Sequence, residues 1–544
     1  MPRPVPTLAQ AHPSRKGRHH HRSQQATLPY LRAAIAHTPR RLCAALALAL
    51  GAGLLGQAAE AATLTWNGNF GSPLWSVRIF GLSNWNGGAV PQDGDELDFA
   101  GQTGLVNNNN DVGLSLSSLS FAVGAGAFTL NGAGPSVETR ITLTGHLGNQ
   151  SANLQTINMG IDASRRGSPM LWDGGNAGLL INGHLNQADL STVTLLNKTT
   201  LTDSSFVVGK SGQSTLNITA GSRVNSQQGA IGQGSSSSDG TVTVSGVNAL
   251  LADTGNLRVG VDGGGKLVID SGGRVTSSHG TLGQQPQGRG TASVTGANSA
   301  WIVAQTLDVG GQGRATLSIA DGALVSSQLA TMGGNSGRVS VAGANSRWRI
   351  DGDLNINGAI GESQLTVNDG GFVSSGDARV GKDGPASIFV SGANARWAVA
   401  GHLALGFNAQ ARLGIADGGQ VTSNSASLGN GGVGTSGIHV GRVTIQGSGS
   451  TWINAGTLDI GKAGTRIASL VIEAGATAAT GSLVIGNVGV LDLNGGTLQV
   501  HDADVQGAGQ FNWASGTLRF TNAGATLGVG TLQLDSITTL PGGK

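Results

Sequence analysis

Downstream of about residue 60 the chain alternates apolar and polar residues in runs of about four to six residues. Examples are TLSIA at Thr316–Ala320 and LDVG at Leu307–Gly310. A period of two is the signature of a β-strand with one buried face. The runs are separated by Gly, Asn, Asp and Ser, which adopt turn conformations at low cost. The pattern predicts an all-β chain with almost no helix.

One unit recurs along the middle of the chain, and its best-preserved copy spans Val294–Ser327. Related copies begin at Val244, Val341, Val390 and Ile445. The first marker is a Trp, replaced once by Leu, and it stands at positions 251, 301, 348, 397 and 452. The second marker is a Leu of the next strand, at positions 216, 267, 317, 365, 413 and 470. Two markers with one period identify a repeat of about 49 residues.

Short strands and tight turns of this kind can build hairpin sandwiches, propeller blades or a parallel β-helix. The constant period favours a solenoid, and stackable Val, Ile and Leu residues replace the large aromatics of a globular core. The blade signature of many propellers is absent. If one rung takes roughly 20–25 residues, each repeat covers two rungs and the chain forms about twenty, a rod on the order of 100 Å long.

The first sixty residues have a different composition. Residues 1–41 carry eight Lys and Arg and no acid, and the apolar run Leu42–Leu55 follows. Ala59-Glu60-Ala61 fits the small-x-small rule, so we predict a secretory signal peptide cleaved near Ala61 and Ala62. The apolar run is short for a membrane span. The single Cys, Cys43, lies in this leader, which predicts a mature chain without disulfides.

We therefore divide the chain into four parts. Residues 1–61 are the basic leader and signal peptide, and residues 62–200 form the N-terminal cap and the first rungs. Residues 201–480 form the repeat region of the β-helix. Residues 481–544 form the C-terminal rungs and tail.

Thr65–Gly101 resembles the opening segment of bacterial autotransporter passengers. The matching residues are Trp66, Trp75, Trp85, Pro91, Gly94, Asp95 and Phe99. Leu491–Val500 and Phe511–Phe520 are similar to strands near the end of such passengers. The resemblance implies a right-handed parallel β-helix, displayed on the cell surface or secreted, often as an adhesin or a structural surface component. The chain stops at Lys544 without the C-terminal membrane barrel of that family, so we expect a separate outer-membrane translocator, a truncated gene product or a released protein.

The acidic run PQDGDELDF contains Asp93, Asp95, Glu96 and Asp98. Such carboxylates could bind calcium or form the acid pair of a glycoside hydrolase. Gly94-Asp95 is also a turn sequence at the start of the first strands, where the helix needs a cap. We favour this structural interpretation.

Two residue types keep one position in the repeat. Asp321, Asp369 and Asp417 each precede a Gly, and we interpret them as turn residues because copies about 9–10 Å apart cannot share one calcium ion. The repeated tryptophans could form a glycan platform or pack in the core, and packing is the favoured interpretation. These tryptophans are Trp301, Trp348, Trp397 and Trp452.

The rest of the sequence carries no motif of catalysis. The His residues downstream of the leader share no repeat position, and the Gly-rich segment Val261–Ile269 leads into a strand rather than a helix. A phosphate loop uses the dipole of a following helix, so this segment is interpreted as turn chemistry. We predict no catalytic residue, no cofactor and no metal.

The charge balance changes when the leader is set aside. The whole chain has a formal charge of +2 and a pI of about 8.9. Residues 1–61 hold eight of the 32 basic residues and one of the 30 acidic ones. The remainder has 24 basic and 29 acidic residues, a net charge of −5, which argues against a nucleic-acid partner.

We expect an exported β-helical surface or secreted protein rather than an enzyme, with adhesion or surface interaction as its role. Its expected partners are glycans or matrix on host or neighbouring cells. The alternatives are a polysaccharide-acting β-helix enzyme, which would need carboxylates converging on one cleft, and a purely structural matrix protein.

Overall fold

The computed structural model describes residues 61–106, 108–133, 140–164, 169–187, 190–429, 439–463, 465–522, 527–528 and 531–534. The predicted signal peptide, apart from Ala61, lies outside the described residues. Residues Ala61–Lys544 form one compact unit. Among the described residues, none belongs to a helix long and apolar enough to span a bilayer.

The first coils hold one 3₁₀ helix, Asn86–Gly88, and short strands. These strands are β1 (Thr63–Trp66), β2 (Glu96–Phe99), β3 (Asn108–Asn110), β4 (Ser115–Leu116), β5 (Ser118–Phe121), β6 (Thr129–Gly132), β7 (Ile141–Leu143), β8 (Leu147–Asn149), β9 (Gln155–Asn158), β10 (Ile161–Ala163), β11 (Met170–Asp173), β12 (Leu179–Asn182), β13 (Leu185–Gln187), β14 (Ser191–Leu196) and β15 (Thr199–Val208).

The repeat region continues with strands of similar length. They are β16 (Gln213–Ile218), β17 (Arg223–Ile231), β18 (Asp239–Ser245), β19 (Leu250–Asp253), β20 (Asn256–Val259), β21 (Gly264–Asp270), β22 (Arg274–Ser277), β23 (His279–Leu282), β24 (Arg289–Thr295), β25 (Ala300–Val303), β26 (Thr306–Val309), β27 (Arg314–Ala320), β28 (Leu324–Ser327), β29 (Leu329–Met332), β30 (Ser336–Ala342), β31 (Arg347–Ile350), β32 (Leu354–Ile356), β33 (Ser363–Asn368), β34 (Phe372–Ser375), β35 (Ala378–Val380), β36 (Ala386–Ser391), β37 (Arg396–Val399), β38 (His402–Leu405), β39 (Ala411–Ala416), β40 (Gln420–Ser423), β41 (Ser425–Leu428) and β42 (His439–Ile445).

The last coils have longer strands, because two faces there merge into one bent strand. They are β43 (Thr451–Ile460), β44 (Ile467–Glu473), β45 (Thr477–Ile485), β46 (Gly489–Val505), β47 (Gln510–Phe520), β48 (Leu527–Gly528) and β49 (Thr531–Leu534). The boundaries predicted at residues 200 and 480 fall inside β15 and β45, each of which pairs with an earlier and a later strand.

The named strands pair in parallel, most of them with the strand three places further along the chain. The series β18, β21, β24, β27 and β30 shows the rule. Three strands therefore make one turn, and the chain forms a parallel β-solenoid of about 17 turns. The predicted all-β solenoid is confirmed.

Each 49-residue repeat covers two coils, as the sequence period predicts. Leu267 lies opposite Ala292, and Ala292 lies opposite Leu317. In the neighbouring sheet Val325 lies between Trp301 and Trp348. Equal coil lengths keep like positions in register, so inward residues stack into apolar columns.

The core is the interior of the coil, and the strands alternate between buried and accessible residues. In β27, Leu317 and Ile319 are fully buried while Thr316 and Ser318 face outward. Burying one such aliphatic side chain contributes about 1.5–3 kcal/mol. The same contribution recurs in every coil, so the solenoid is stabilised by packing without a disulfide bond.

The predicted Asp-Gly turns are confirmed by the backbone. Asp321 has φ 56° and Gly322 has φ 84°, both in the left-handed region. Asp369 and Asp417 have φ of 51° and 53° at the equivalent positions. Asp tolerates this region because its short side chain can hydrogen-bond locally. These carboxylates sit in exposed turns two coils apart, as a turn role requires.

An aromatic cluster covers the N-terminal end of the core. Trp66, Trp75 and Trp85 are at most 1% exposed and surround Phe99, with ring centroids 5.6–6.1 Å from it. The indole N–H groups are satisfied: Trp66 donates to the carbonyl of Thr103 at 3.2 Å, and Trp85 donates to that of Trp75 at 3.1 Å. These bulky rings close the open end of the first coil, which would otherwise expose apolar residues to water.

Candidate functional site

The four repeated tryptophans lie in the core and cannot act as a glycan platform. Their relative exposure is 0% for Trp301, Trp348 and Trp397 and 1% for Trp452. Sugar stacking needs an accessible ring face, and none of these indoles has one. The platform interpretation is therefore wrong, and the packing interpretation describes their position.

The tryptophans alternate with valines in one inward column. We call it the Trp column, and its members are Val275, Trp301, Val325, Trp348, Val373, Trp397, Val421 and Trp452. Large and small side chains in alternate coils fill the interior evenly. A Cβ added to Gly280 would lie 2.7 Å from the Trp301 ring, so the indole occupies the space that this glycine leaves.

Serines of the preceding coil accept from two of these indoles. Trp301 Nε1 donates to Ser277 Oγ at 3.2 Å, and Trp452 Nε1 donates to Ser423 Oγ at 3.1 Å. Within the described residues, the Nε1 atoms of Trp348 and Trp397 have no such partner. The repeated Trp residues are thus equivalent in packing but not in hydrogen bonding.

The acidic run predicted to form the cap does hold the first coils together. Asp93 accepts from the Ser115 N–H at 2.8 Å, and Asp98 accepts from the Ser120 hydroxyl at 2.8 Å. Asp95, only 7% exposed, accepts from two backbone N–H groups. Within the described residues, no group of three or more His, Cys, Asp or Glu side chains is arranged to hold a metal ion.

Two buried carboxylates lie at stacked inward positions of the early coils. Asp203 contacts His184, with Oδ2 3.2 Å from Nδ1, and accepts the Leu185 N–H at 2.9 Å. Asp253, two coils further on, accepts from the Ser226 hydroxyl at 2.8 Å. Burial raises the pKa of Asp253, although its hydrogen bonds and Arg258 oppose the shift. Both carboxylates close turns inside the solenoid and are not accessible to a large substrate.

A recess of about 810 Å³ opens on the outer face of β36, β39 and β42. Its main lining residues are Phe389, Arg412, Gly414, Asp417, Arg442 and Thr444. The register places Phe389, Gly414 and Thr444 side by side on successive coils, and Arg412 beside Arg442. Neighbouring strands are about 4.8 Å apart, so the backbone positions that carry these two arginines are adjacent.

Gly414 creates the recess. A Cβ at this position would lie 3.1 Å from Cδ1 of Phe389, so the phenyl ring leans across the glycine backbone. Phe389 remains 41% exposed, which leaves part of the ring open to solvent beside the gap. An aromatic ring covering a cross-strand glycine stabilises a sheet, and here it also presents an apolar surface among polar groups.

The recess is locally basic. Within the described part of the chain, neither Arg412 nor Arg442 forms an ion pair with a carboxylate. Asp417 lies at the rim and supplies an acceptor. A guanidinium group offers a planar fork of donors that matches a carboxylate or sulfate. The recess can therefore hold an anionic ligand that also has an apolar face.

The repeat motif itself contains the signal that would have revealed this site. In other copies the outward position between two inward aliphatic residues holds Thr243, Ser293 or Ser340, whereas this copy holds Phe389. The next coil then has Gly414 where a side chain is expected. Residues that depart from the repeat therefore indicate the position of the recess, whereas the repeated tryptophans do not.

The fold and the recess together define a parallel β-solenoid with a side-chain site on its outer face. Among solved structures the chain is similar to a crystal structure of a TibC-catalyzed hyper-glycosylated TibA fragment, residues 55–350. The identity is 15%, the alignment covers 62% of this chain and 97% of that chain, and the TM-score is 0.24. No protein-family model matches the chain, and no curated protein matches it.

Proposed function

We propose that this protein is exported and acts outside the cell as a non-catalytic binding protein, in the manner of an autotransporter passenger. Its β-solenoid would contact acidic carbohydrate on a host cell, a neighbouring cell or the surrounding matrix. The observation that supports this proposal is the recess formed by Phe389, Gly414, Arg412 and Arg442 on the outer face of the solenoid.

The leader supports export. A basic segment, an apolar run and the Ala59-Glu60-Ala61 site follow one another as in secretory signal peptides. Cleavage after Ala61 would release a chain that begins at Ala62.

The chemistry of the recess favours an acidic sugar. The C–H face of a pyranose ring is apolar and can stack on the exposed part of the Phe389 ring. A uronate carboxylate can then pair with Arg412 and Arg442 through charge-assisted hydrogen bonds. The residues after the predicted cleavage carry a net charge of −5. The two arginines are therefore a local positive site on a protein that is negatively charged as a whole.

Calorimetric titration of residues 62–544 with a tetragalacturonate tests the site, with neutral maltotetraose as the comparison ligand. We expect binding of the acidic tetrasaccharide only. Phe389→Ala and the double change Arg412→Gln/Arg442→Gln are each expected to raise Kd at least tenfold, which is about 1.4 kcal/mol. Arg338→Gln is the matched control, because Arg338 faces outward beside Thr316 and Gln364 without a second arginine.

Binding that survives both recess variants would contradict the assignment of the site. Equal affinity for the neutral tetrasaccharide would contradict the role of the arginines. At the level of the cell, deletion of the gene should reduce attachment to surfaces coated with the acidic sugar. Unchanged attachment would favour a purely structural role.

A further inference from the structure

The first described strand is tied to the cap by one buried carboxylate. The Ala62 N–H donates to Asp95 Oδ1 at 3.0 Å, and the Gln92 N–H donates to Asp95 Oδ2 at 2.8 Å. Asp95 is 7% exposed, whereas Ala62 is exposed. The contact thus joins a buried acceptor to a donor at the surface of the unit.

The backbone around this contact connects three segments. The Glu96 N–H donates to the Ala62 carbonyl at 2.9 Å, which starts the β1–β2 pairing. The Ser117 N–H donates to the Asp95 carbonyl at 2.9 Å, which links the turn to the next coil. Movement of the Asp95 side chain would therefore loosen the edge of the solenoid that the aromatic cluster covers.

The cap also has an excess of negative charge. Asp93, Asp95, Glu96 and Asp98 lie within six residues. Within the described residues, none of the four has a Lys, Arg or His ion-pair partner. Closely spaced carboxylates repel one another, so a positive charge placed among them would be stabilising.

We propose that cleavage after Ala61 supplies this positive charge, because the new α-ammonium group of Ala62 pairs with Asp95 and completes the cap. The inference rests on the processing site in the proposed function. Hydrolysis of the Ala61–Ala62 bond consumes one water and leaves a carboxylate on Ala61 and an amine on Ala62. This amine takes up a proton at neutral pH, since a free α-amino group ordinarily has a pKa of about 7.7–8.0.

The donor atom does not need to move. The nitrogen that donates as a neutral amide before cleavage is the nitrogen that carries the charge afterwards. The amide N–H already makes a charge-assisted hydrogen bond to the Asp95 carboxylate, and a positive charge on the same nitrogen adds a Coulomb attraction between two opposite charges. The precursor therefore has a looser cap than the mature chain, and removal of the leader tightens the first coil.

A double-mutant cycle tests the ion pair. One protein begins at Ala62, released from a removable fusion that leaves no additional residue, and the other begins one residue earlier, at Ala61. Each is prepared with Asp95 and with the substitution Asp95→Asn. Residues Ala61–Lys544 form one compact unit, so both proteins retain the complete fold described here.

Hydrogen exchange of the amides of residues 92–99 is the measurement. The substitution Asp95→Asn replaces one carboxylate acceptor by an amide NH₂ group in both proteins, so it accelerates exchange in both. We expect the acceleration to be about fivefold greater in the protein that begins at Ala62, because only this protein loses a charge pair. Equal acceleration in the two proteins would overturn the ion pair.

N-terminal sequencing of the protein exported by its own cells distinguishes a failure of the ion pair from a failure of the proposed function. A mature chain that begins at Ala62 supports both. Any other N-terminus would overturn the processing site, and with it the ion pair in the cell. Correct processing without coupling in the cycle would overturn the ion pair and leave the proposed export intact.

Discussion

Ser346 accepts a hydrogen bond from the backbone N–H of Gly322, 24 residues earlier in the chain, at 3.0 Å. The serine is fully buried and belongs to the Gly-Ala-Asn-Ser turn that lies over the Asp-Gly turn of the previous coil. Ser299 makes the same contact with Gly272 at 3.0 Å, and Ser450 makes it with Gly418 at 3.1 Å. One hydroxyl thus joins the turns of two successive coils in three of the repeats.

Two of the five copies lack this hydroxyl, and one of them gives a matched pair of substitutions. The other three copies have serine at the position that Ala249 and Ala395 occupy, and Ala395 corresponds to a serine opposite Gly370. We expect Ser346→Ala to lower the free energy of unfolding in urea by about 1–3 kcal/mol, because it leaves the Gly322 N–H without an acceptor. Ala395→Ser should raise the free energy by about 0.5–1.5 kcal/mol through a new bond to Gly370. Similar effects of the two changes would contradict the role of the hydroxyl.

The Trp column predicts unequal effects of one substitution at two equivalent positions. Trp301→Phe removes both indole volume and the bond to Ser277, whereas Trp348→Phe removes volume alone. Urea unfolding should therefore show Trp301→Phe to be about 1 kcal/mol more destabilising than Trp348→Phe. Equal losses would mean that the Ser277 bond contributes nothing measurable.

The gap at Gly414 predicts that a larger side chain closes the recess without unfolding the sheet. In Gly414→Val the Cβ would meet the Phe389 ring at 3.1 Å and displace it across the arginines. Tetragalacturonate binding should fall at least tenfold by calorimetry, about 1.4 kcal/mol, while the circular dichroism spectrum is retained because Val favours strands. Ser340→Val, three coils from Gly414 in the same outward column, should leave binding unchanged. Loss of binding in both variants would point to a general effect on the sheet.

Because Asp253 is buried, we expect the substitution Asp253→Asn to increase the free energy of unfolding by an amount that depends on pH. Burial raises its pKa above the ordinary carboxyl value. Below that ordinary value the group is protonated in both the folded and the unfolded chain, so Asp253→Asn gains nothing there. As the pH rises through the raised folded pKa, the wild type carries a desolvated charge that the variant lacks. In urea unfolding, the free energy of unfolding of the variant should therefore exceed that of the wild type by an amount that increases from pH 3 to pH 7.

An asparagine side chain can keep the local contacts of this site. Its oxygen can accept the Gly255 N–H, and the Ser226 hydroxyl can rotate to accept from its amide. A difference between the two proteins that stays constant with pH would contradict the effect of burial on Asp253.

Much of the fold could be predicted because its signals are local. The alternation in Thr316–Ala320 reports which face of a strand is buried, and Asp321-Gly322 reports a turn at positive φ. The spacing of Leu267 and Leu317 reports the length of two coils. Each of these features depends only on residues close together in the chain, so the solenoid and its two-coil repeat follow from the pattern.

The candidate site could not be predicted in the same way. The tryptophans stand out in the sequence because they repeat, but a residue that repeats through a solenoid more often fills its core. Phe389 faces outward because Ile388 and Val390 face inward, and this parity is readable from the sequence. That the ring covers Gly414, 25 residues later, follows only from the stacking of the coils.

By itself, the sequence determined the period of the coil, the alternation of its strands and the chemistry of its turns. Only the tertiary structure decided which residues meet between coils: Gly322 with Ser346, Arg412 with Arg442, and Ala62 with Asp95. The physical reason is that strand and turn preferences act over a few residues. Contacts between coils depend on the register of parallel strands, which is set jointly by every coil length and by the packing of the shared core.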